Sequence, residues 1–466
     1  MKVLSVLFVG SAPLLGSFGW FAGAVSSGSG LKKRTLVLLD SVDQADNEFS
    51  EFFQLLKGRN HELTVRAAAD MQNALEKYGE YLYDNVLVFA PGADDFGAFD
   101  ASDLLTFVND AGGNVLVALD VKIGEATREF VAHCGFSLYK EGEAVVDDFT
   151  YDAKDSGDHT LFHTDQVVSN GMLLGGGSKS LFQEEPLLFK GVGVKLNNKK
   201  GAGKQVLRFG IARAKRTAYN AEPSAAAKTM PSQQGGKGIV LVSGVQARNN
   251  ARVIVSGSID MFKNSLMNQN VALGMGNKEV SAHSGNRKFA DGITKWNFGE
   301  AGVLRAGGAE HRRVVEGGEE QKWARGNSVY RVGDKVEYRL RVEEWHGTDG
   351  AWRPFAGKDI PFKMVLLEPK VNKTLTDDAG DGLYTTLLRA PEQSGVYKLS
   401  VNYDRLGYSS ISSTVSVTVR PIGTGDQDHF VVASYPYYAS FILLLVAFGK
   451  FLAAFKAAPE KGEKGE

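Results

Sequence analysis

The sequence predicts an open, mainly parallel α/β domain, followed by an antiparallel β-sandwich-like domain and one C-terminal transmembrane helix. Three observations carry that order. Short β-rich apolar runs alternate with helical patterns in the first half of the chain. Beyond about Val303, apolar residues fall at every second position. Finally, no residue between Phe430 and Gly449 is charged, and roughly 20 apolar residues suffice for a helix to cross a bilayer.

Taken in order, Met1-Lys2 and the apolar residues after it lead to Ala22-Gly23-Ala24. This is the charged start, apolar middle and small-residue exit of a cleavable signal peptide over 1–24. The α/β domain is expected over 34–265. Thr35-Leu-Val-Leu-Leu-Asp40 is a continuous apolar run, as in a strand buried on both faces, and Val86–Ala90 and Val115–Leu119 repeat it. Between the last two, Leu104, Leu105, Phe107, Val108 and Ala111 share one helix face, with Ser102 placed to cap the start and Gly112-Gly113 to end it. A second helix is expected from Gly124 to His133. Ile239–Ser243 and Arg252–Ser256 complete the sheet. The Gly/Lys/Ala-rich stretch from Asn197 to Lys237 reads mostly as loops, with a strand at Val206 to Ile211.

A connecting region is expected over 266–302 and the β domain over 303–425. In the latter, Val336, Tyr338, Leu340 and Val342 alternate, as do Val396 to Val401 and Val415, Val417 and Val419. The transmembrane helix is expected over 430–455 and the tail over 456–466. Tyr435, Tyr437 and Tyr438 precede the apolar core as an aromatic belt would, while Lys450 and Lys456 mark its other end. Asp426 and Asp428 lie before the span, so the positive-inside tendency assigns the tail to the cytosol. Lys450 is read as the membrane boundary, where a lysine snorkels to the headgroups. The face bearing Ser440 and Gly449 is expected to pack on neighbouring helices, since small residues allow close approach.

Composition excludes several functions. A formal net charge of −1 gives no electrostatic case for a nucleic-acid partner. Cys134 is the only cysteine, so the chain has no internal disulfide, which favours residence in the endoplasmic reticulum over export. Asn372-Lys373-Thr374 is the only Asn-x-Ser/Thr triplet and is read as a surface-loop N-glycosylation candidate.

Catalytic candidates are weak. Asp40 and Asp120 stand at carboxyl ends of expected strands, with Asp94 and Asp95 in a loop between them, where an α/β crevice would hold a ligand or Mg²⁺. Asp is equally at home in turns and caps. Cys134 follows a helical pattern and reads as buried rather than as a nucleophile on a sharp turn. Gly175-Gly-Gly-Ser-Lys179-Ser180 puts Ser178 where a phosphate loop needs glycine. His159 and His163 have metal-sharing spacing but no third ligand. No catalytic, cofactor or metal residue is therefore assigned.

Several segments nevertheless resemble a known family. They are Gly244-Val-Gln-Ala-Arg-Asn-Asn-Ala-Arg252-Val-Ile-Val-Ser-Gly-Ser-Ile-Asp-Met-Phe262, Tyr78-Gly-Glu-Tyr-Leu-Tyr-Asp-Asn85, Val401-Asn-Tyr-Asp-Arg-Leu-Gly-Tyr408 and Tyr435-Pro-Tyr-Tyr-Ala-Ser440. Together with Thr35–Asp40, they resemble the 48 kDa subunit family of the eukaryotic oligosaccharyltransferase, the wheat-germ-agglutinin-binding subunit in yeast, from about residue 34 to 455. Lys199–Gly236 and Glu310–Gly326 depart from the family pattern.

The resemblance implies a type I protein of the endoplasmic reticulum membrane, in the complex that transfers a preassembled glycan from dolichyl diphosphate to asparagine in Asn-x-Ser/Thr. It implies a structural role, with catalysis and its divalent metal in a separate multi-span subunit, and ribophorins and the small defender-against-cell-death subunit as further partners. Lys464 is one element of a dilysine retrieval signal without its pair, so retention through the complex is expected. The alternatives are a free-standing receptor for glycans or glycated proteins, which would reach the cell surface, and a lone enzyme, which would need a base or nucleophile in the crevice.

Overall fold

A computed structural model describes residues 33–168, 171–174, 178–196, 207–223, 235–274, 278–315, 321–347, 350–423 and 432–457. The expected signal peptide, Gly175–Gly177, much of the Asn197–Lys237 stretch, Asp426, Asp428 and Lys464 lie outside the described residues.

The first half supplies β1 (Lys33–Leu39), α1 (Ser50–Gly58), β2 (His61–Ala67), β3 (Asn85–Phe89), α2 (Ala101–Thr106), β4 (Asn114–Ala118), α3 (Glu125–His133), β5 (Phe136–Leu138), β6 (Val194–Leu196), β7 (Leu207–Arg213), β8 (Val240–Gln246), β9 (Arg252–Ser256) and α4 (Asn286–Asn297). The strands form one sheet in the order β2-β1-β3-β4-β9-β8-β6-β5, with β7 also paired to β8. Strands β2, β1, β3, β4 and β9 run parallel. The chain then reverses, because β8 and β9 form a hairpin and β6 and β7 pair antiparallel with β8.

Strand pleating sends alternate side chains to opposite faces, and each face has its own core. Val37, Leu39, Leu87, Phe89 and Leu116 pack with Phe52, Phe53 and Leu56 of α1 and with Phe289, Ile293 and Trp296 of α4. On the other face, Leu36, Leu38, Val86, Val88, Val115 and Val117 pack with Leu104 of α2 and Phe130 and Val131 of α3. Helices on both faces explain why these strands are continuously apolar.

Four local features differ from the sequence pattern or refine it. Ser102 does not cap α2; Asp100 does. Its extended backbone (φ −111°, ψ −177°) sets up a reciprocal capping box in which Asp100 Oδ1 accepts from Asp103 N at 2.8 Å and Asp103 Oδ2 accepts from Asp100 N at 3.1 Å. Gly112 does end that segment, in the left-handed region at φ 69° after a π-helical turn. Helix α1 is an addition to the expected elements, with Phe52, Phe53 and Leu56 on its buried side. Helix α4 falls in the stretch expected to be a connector, yet it is buried against the sheet.

The second half supplies β10 (Val303–Ala306), β11 (Glu310–Val314), β12 (Val329–Arg331), β13 (Lys335–His346), β14 (Ala351–Pro354), β15 (Pro361–Val365), β16 (Pro369–Thr374), β17 (Leu383–Arg389), β18 (Gly395–Tyr403) and β19 (Ile411–Arg420). The long β13 is the hub of one sheet, pairing antiparallel with β10, β11, β14 and β17. The other sheet runs β12-β19-β18-β15-β16. Val336, Tyr338, Leu340 and Val342 of the first sheet share a core with Tyr397, Leu399, Val401, Val417 and Val419 of the second. Val396 has the opposite parity and is exposed.

Helix α5 (Tyr435–Ala457) is the one helix among the described residues long and apolar enough to cross a membrane. At 1.5 Å per residue its length is roughly 35 Å, enough for a bilayer core. Its continuity corrects one expectation. Ser440 and Gly449 are nine positions apart, and about 100° per residue places them on opposite sides of the helix, so they do not share a packing face.

Candidate functional site at the domain junction

At the amino ends of the parallel strands, one polar group per strand forms a chain of hydrogen bonds. The Thr35 hydroxyl lies 3.2 Å from His61 Nδ1, and Asn85 Nδ2 donates to Thr35 Oγ1 at 3.4 Å. Asn114 Nδ2 donates to Asn85 Oδ1 at 3.1 Å, and the Arg252 backbone N–H donates to Asn114 Oδ1 at 3.0 Å. The row thus crosses β2, β1, β3, β4 and β9.

Both ends of the row are tied to the segment after α4. At one end, His61 Nε2 lies 2.7 Å from Glu300 Oε1, and Arg59 reaches Glu300 Oε2 at 3.4 Å and Thr294 Oγ1 at 2.8 Å. Burial lowers the His61 pKa and the Glu300 contact only partly opposes it, so the ring is neutral at physiological pH. Burial would raise the Glu300 pKa, but the His61 hydrogen bond and the Lys33 and Arg59 charges outweigh it and hold the carboxyl below its ordinary value. The tautomer that satisfies this network has Thr35 donating to Nδ1 and Nε2–H donating to Glu300.

At the other end stands Arg252, only 2% exposed. Its guanidinium donates to the carbonyls of Trp296, Ala301 (2.7 Å) and Gly302 (2.9 Å) and lies 4.8 Å from the Trp296 ring centre. Burial pushes its pKa down to about 9, which still leaves it charged at neutral pH. The Trp296 carbonyl belongs to the last turn of α4, where it also accepts from Gly299 N at 3.1 Å and the helix dipole favours a cation. Arg252 therefore serves as a C-cap supplied from a distant strand.

The same elements grip the β domain. Gln246 Nε2 donates to Tyr408 O at 2.9 Å, and Trp296 Nε1 donates to Gly407 O at 3.0 Å. Asn250 Oδ1 accepts from both Ser410 N (2.8 Å) and Ser410 Oγ (2.9 Å). Ser409 N donates to Gly302 O at 2.8 Å, while Ser409 Oγ accepts from Leu304 N at 2.7 Å. Two conformations here restrict the residue type. Asn250 sits at φ 68°, a region asparagine tolerates. Gly302 sits at φ 68°, and a Cβ on it would lie 2.0 Å from Gly407 O.

Gln246, Asn250 and Arg252 of the Gly244–Phe262 segment and Gly407 and Tyr408 of the Val401–Tyr408 segment, both of which carry the family resemblance, thus meet at the junction with Trp296, Gly302, Ser409 and Ser410. Every polar group named is engaged in structure. The arrangement can fix two domains rigidly; it offers a substrate no exposed acid, base or nucleophile.

The other sequence candidates do not converge. Burial, and then the charge of Asp120, raise the Asp40 pKa at the strand carboxyl ends. Asp120 Oδ1, however, accepts from Val121 N at 2.7 Å, Asp94 Oδ1 from Glu125 N at 3.4 Å, and Asp95 Oδ1 from Gly97 N at 3.2 Å, which are turn and helix-start roles. Among the described residues, no group of three or more His, Cys, Asp or Glu is placed to hold a metal ion. Cys134 ends α3, buried, with its thiol pushed up to about 12 by burial. Such a thiol is not a nucleophile at neutral pH.

His159 and His163 part company as well. His159 Nδ1 lies 2.6 Å from Asp148 Oδ1 and its ring stacks on Tyr151, whereas His163 is buried in a short strand with its pKa pushed to about 4 by burial and by Lys215. Ser178–Glu184 is a seven-residue helix. Asn372 is exposed, as expected, but on the edge strand β16 rather than in a loop.

Comparison with known proteins accounts for this pattern. Residues 26–300 match the OST48 N-terminal domain and residues 314–458 the OST48 middle domain. The chain belongs to the OST48 family. Relatives named dolichyl-diphosphooligosaccharide–protein glycosyltransferase 48 kDa subunit share 37% identity over 444 residues in Caenorhabditis elegans (93% of this chain, 94% of the relative) and 34% over 422 in Arabidopsis thaliana (90% and 91%). The Drosophila melanogaster relative of the same name shares 34% over 423 residues (90% and 90%). Among solved structures, a ThuA-like protein from Parabacteroides merdae covers 57% of this chain and 90% of its own at 12% identity, with a TM-score of 0.29, too weak to argue from. The segments Gly244–Phe262 and Val401–Tyr408 therefore meet in one interdomain contact. The row His61, Thr35, Asn85, Asn114 and Glu300 leaves a single trace in the sequence: Asn85 and Asn114 directly precede apolar runs.

Proposed function

We propose that this OST48 chain is a non-catalytic structural subunit of the oligosaccharyltransferase complex, which transfers a preassembled glycan from dolichyl diphosphate to asparagine in Asn-x-Ser/Thr of nascent proteins. The observation that carries the reading is the junction itself. The family's signature residues lock two domains together rather than presenting reactive groups. A rigid two-domain body on a single membrane helix suits assembly and stability of a larger complex.

In this reading the bulk of the chain stands in the lumen of the endoplasmic reticulum, as an α/β domain joined to a β-sandwich, with the tail in the cytosol. Its partners are the multi-span catalytic subunit, ribophorins and the small defender-against-cell-death subunit. No observation favours the free-standing receptor over this reading.

The test is to tag the cytosolic C-terminus, solubilise membranes in mild detergent, and assay the eluate for glycosylation of an Asn-x-Thr peptide. Recovery of a multi-span partner with activity, lost in stringent detergent while this chain stays bound, is the expected outcome. Transfer by this chain alone would overturn the non-catalytic assignment, and a lone chain without partners or activity would overturn the subunit assignment.

A further inference from the structure

The β domain has two distinguishable ends. At one, the β18–β19 loop holds Gly407, Tyr408 and Ser410 against the α/β domain. From that loop β19 runs ten residues, about 33 Å, to the opposite end. There the chain leaves at Gly423 and enters the membrane-spanning segment at Val432. Nine residue steps bridge at most about 32 Å, so this far end is tied close to the bilayer and faces away from the α/β domain.

That end carries an exposed apolar group. Leu367, at the tip of the β15–β16 hairpin, is 93% exposed. At the same end Gly395 approaches the hairpin, where a Cβ on it would lie 2.9 Å from Leu366, and the next residue, Val396, is 58% exposed. Val396 and Val329 (62%) flank Thr418 from the two strands that pair with β19, and Ile422 (52%) follows two residues after β19 ends. Exposed Lys370, Lys398 and Arg420 lie on β16, β18 and β19, with exposed Glu368 and Glu392 in the adjoining loops. A fully exposed leucine on a hairpin tip, rimmed by long basic side chains able to reach headgroups, is the composition of a shallow membrane contact.

We infer that this end of the β domain, through Leu367, Val396 and Ile422, dips into the interfacial layer of the same membrane that α5 crosses, as a second, non-spanning attachment. The partner is a lipid surface. The contact fixes the height and tilt of the whole two-domain body above the bilayer. It rests on α5 spanning the membrane.

The test uses the full chain, purified and reconstituted in phosphatidylcholine vesicles with no other protein. Cys134 is buried, so a fluorophore on Leu367→Cys, Ile422→Cys, Tyr78→Cys or Phe441→Cys reports its own site. Tyr78 is 95% exposed in the α/β domain and serves as the aqueous reference, and Phe441 lies in α5. With bromine on the upper acyl carbons of the lipid, the labels at 367 and 422 are expected to be quenched at least roughly two-fold more than the label at 78, as for an interfacial segment. If the label at 441 is quenched and those at 367 and 422 are not, the lipid contact is wrong. It is equally wrong if they become shielded only in the assembled complex, which would assign the patch to a protein partner. An unquenched label at 441 would overturn the anchor, and the inference with it.

Discussion

Replacing Arg252 with methionine removes three hydrogen bonds at once and leaves Ala301 O without a donor, while Trp296 O keeps Gly299 N at 3.1 Å and Gly302 O keeps Ser409 N at 2.8 Å. Met preserves most of the stem volume, so the loss is concentrated in the guanidinium's bonds to Trp296, Ala301 and Gly302 and in its contact with the Trp296 ring. A hydrogen bond from a charged donor contributes about 1.5–3 kcal/mol, and the one buried acceptor left unmade costs about 1–3 kcal/mol. Against this, the variant no longer desolvates a charge, which offsets several kcal/mol. The balance is a local destabilisation of about 4 kcal/mol.

Because the chain has two domains, a single unfolding midpoint does not isolate that change. Hydrogen exchange at the junction amides does. Ser409 N and Leu304 N, bonded to Gly302 O and Ser409 Oγ, are expected to exchange roughly a thousandfold faster, while amides in β3 and β18 are little changed. Arg252→Lys, which keeps the charge but not the planar fork, should fall between. An acceleration under about tenfold in Arg252→Met would refute the assignment of Arg252 as the cap that organises the junction.

Gly302→Ala is expected to open the same junction despite its small size, because its Cβ would meet Gly407 O at 2.0 Å; limited proteolysis should then cut between the domains. Acid should weaken the α/β domain through His163. Its folded pKa of about 4 lies below the unfolded 6.5, so its contribution, about 3 kcal/mol, is present above pH 6.5 and lost as pH falls towards 4. In His163→Leu the slope of stability against pH over that window should flatten, and an unchanged slope would exclude the residue as its source. Digestion with a glycan-releasing amidase should shift the wild-type chain on a gel and leave Asn372→Gln unmoved, as an exposed edge-strand acceptor requires. On α5, Gly449 shares a face with Ala453, so Gly449→Leu should reduce recovery of membrane partners, whereas Ser440→Leu on the opposite side should not.

Local periodicity made much of this protein legible from its sequence alone. The buried strands at Leu36–Leu39, Val86–Phe89 and Val115–Ala118, the alternation through Val336–Val342 and the uncharged span of α5 are patterns set within a few residues. Hydrophobic burial imposes them wherever such an element packs. The capping of α2 was partly readable: an Asp three residues before another Asp outranks the nearby serine once the backbone at Asp100 is extended. The order of strands was not readable. The sequence contains β8 and β9 as two apolar runs, and only the assembled sheet shows that β9 is the last parallel strand and β8 the first reversed one.

Tertiary structure alone decided the site. Residues 35, 61, 85, 114, 252 and 300 have no common spacing; they meet because five strand ends lie side by side and one connector returns across them. A hydrogen bond depends on where two groups end up rather than on their separation along the chain. For the same reason Arg252 has the look of a polar start to an apolar strand, and is in fact the cap of a helix that begins 34 residues later.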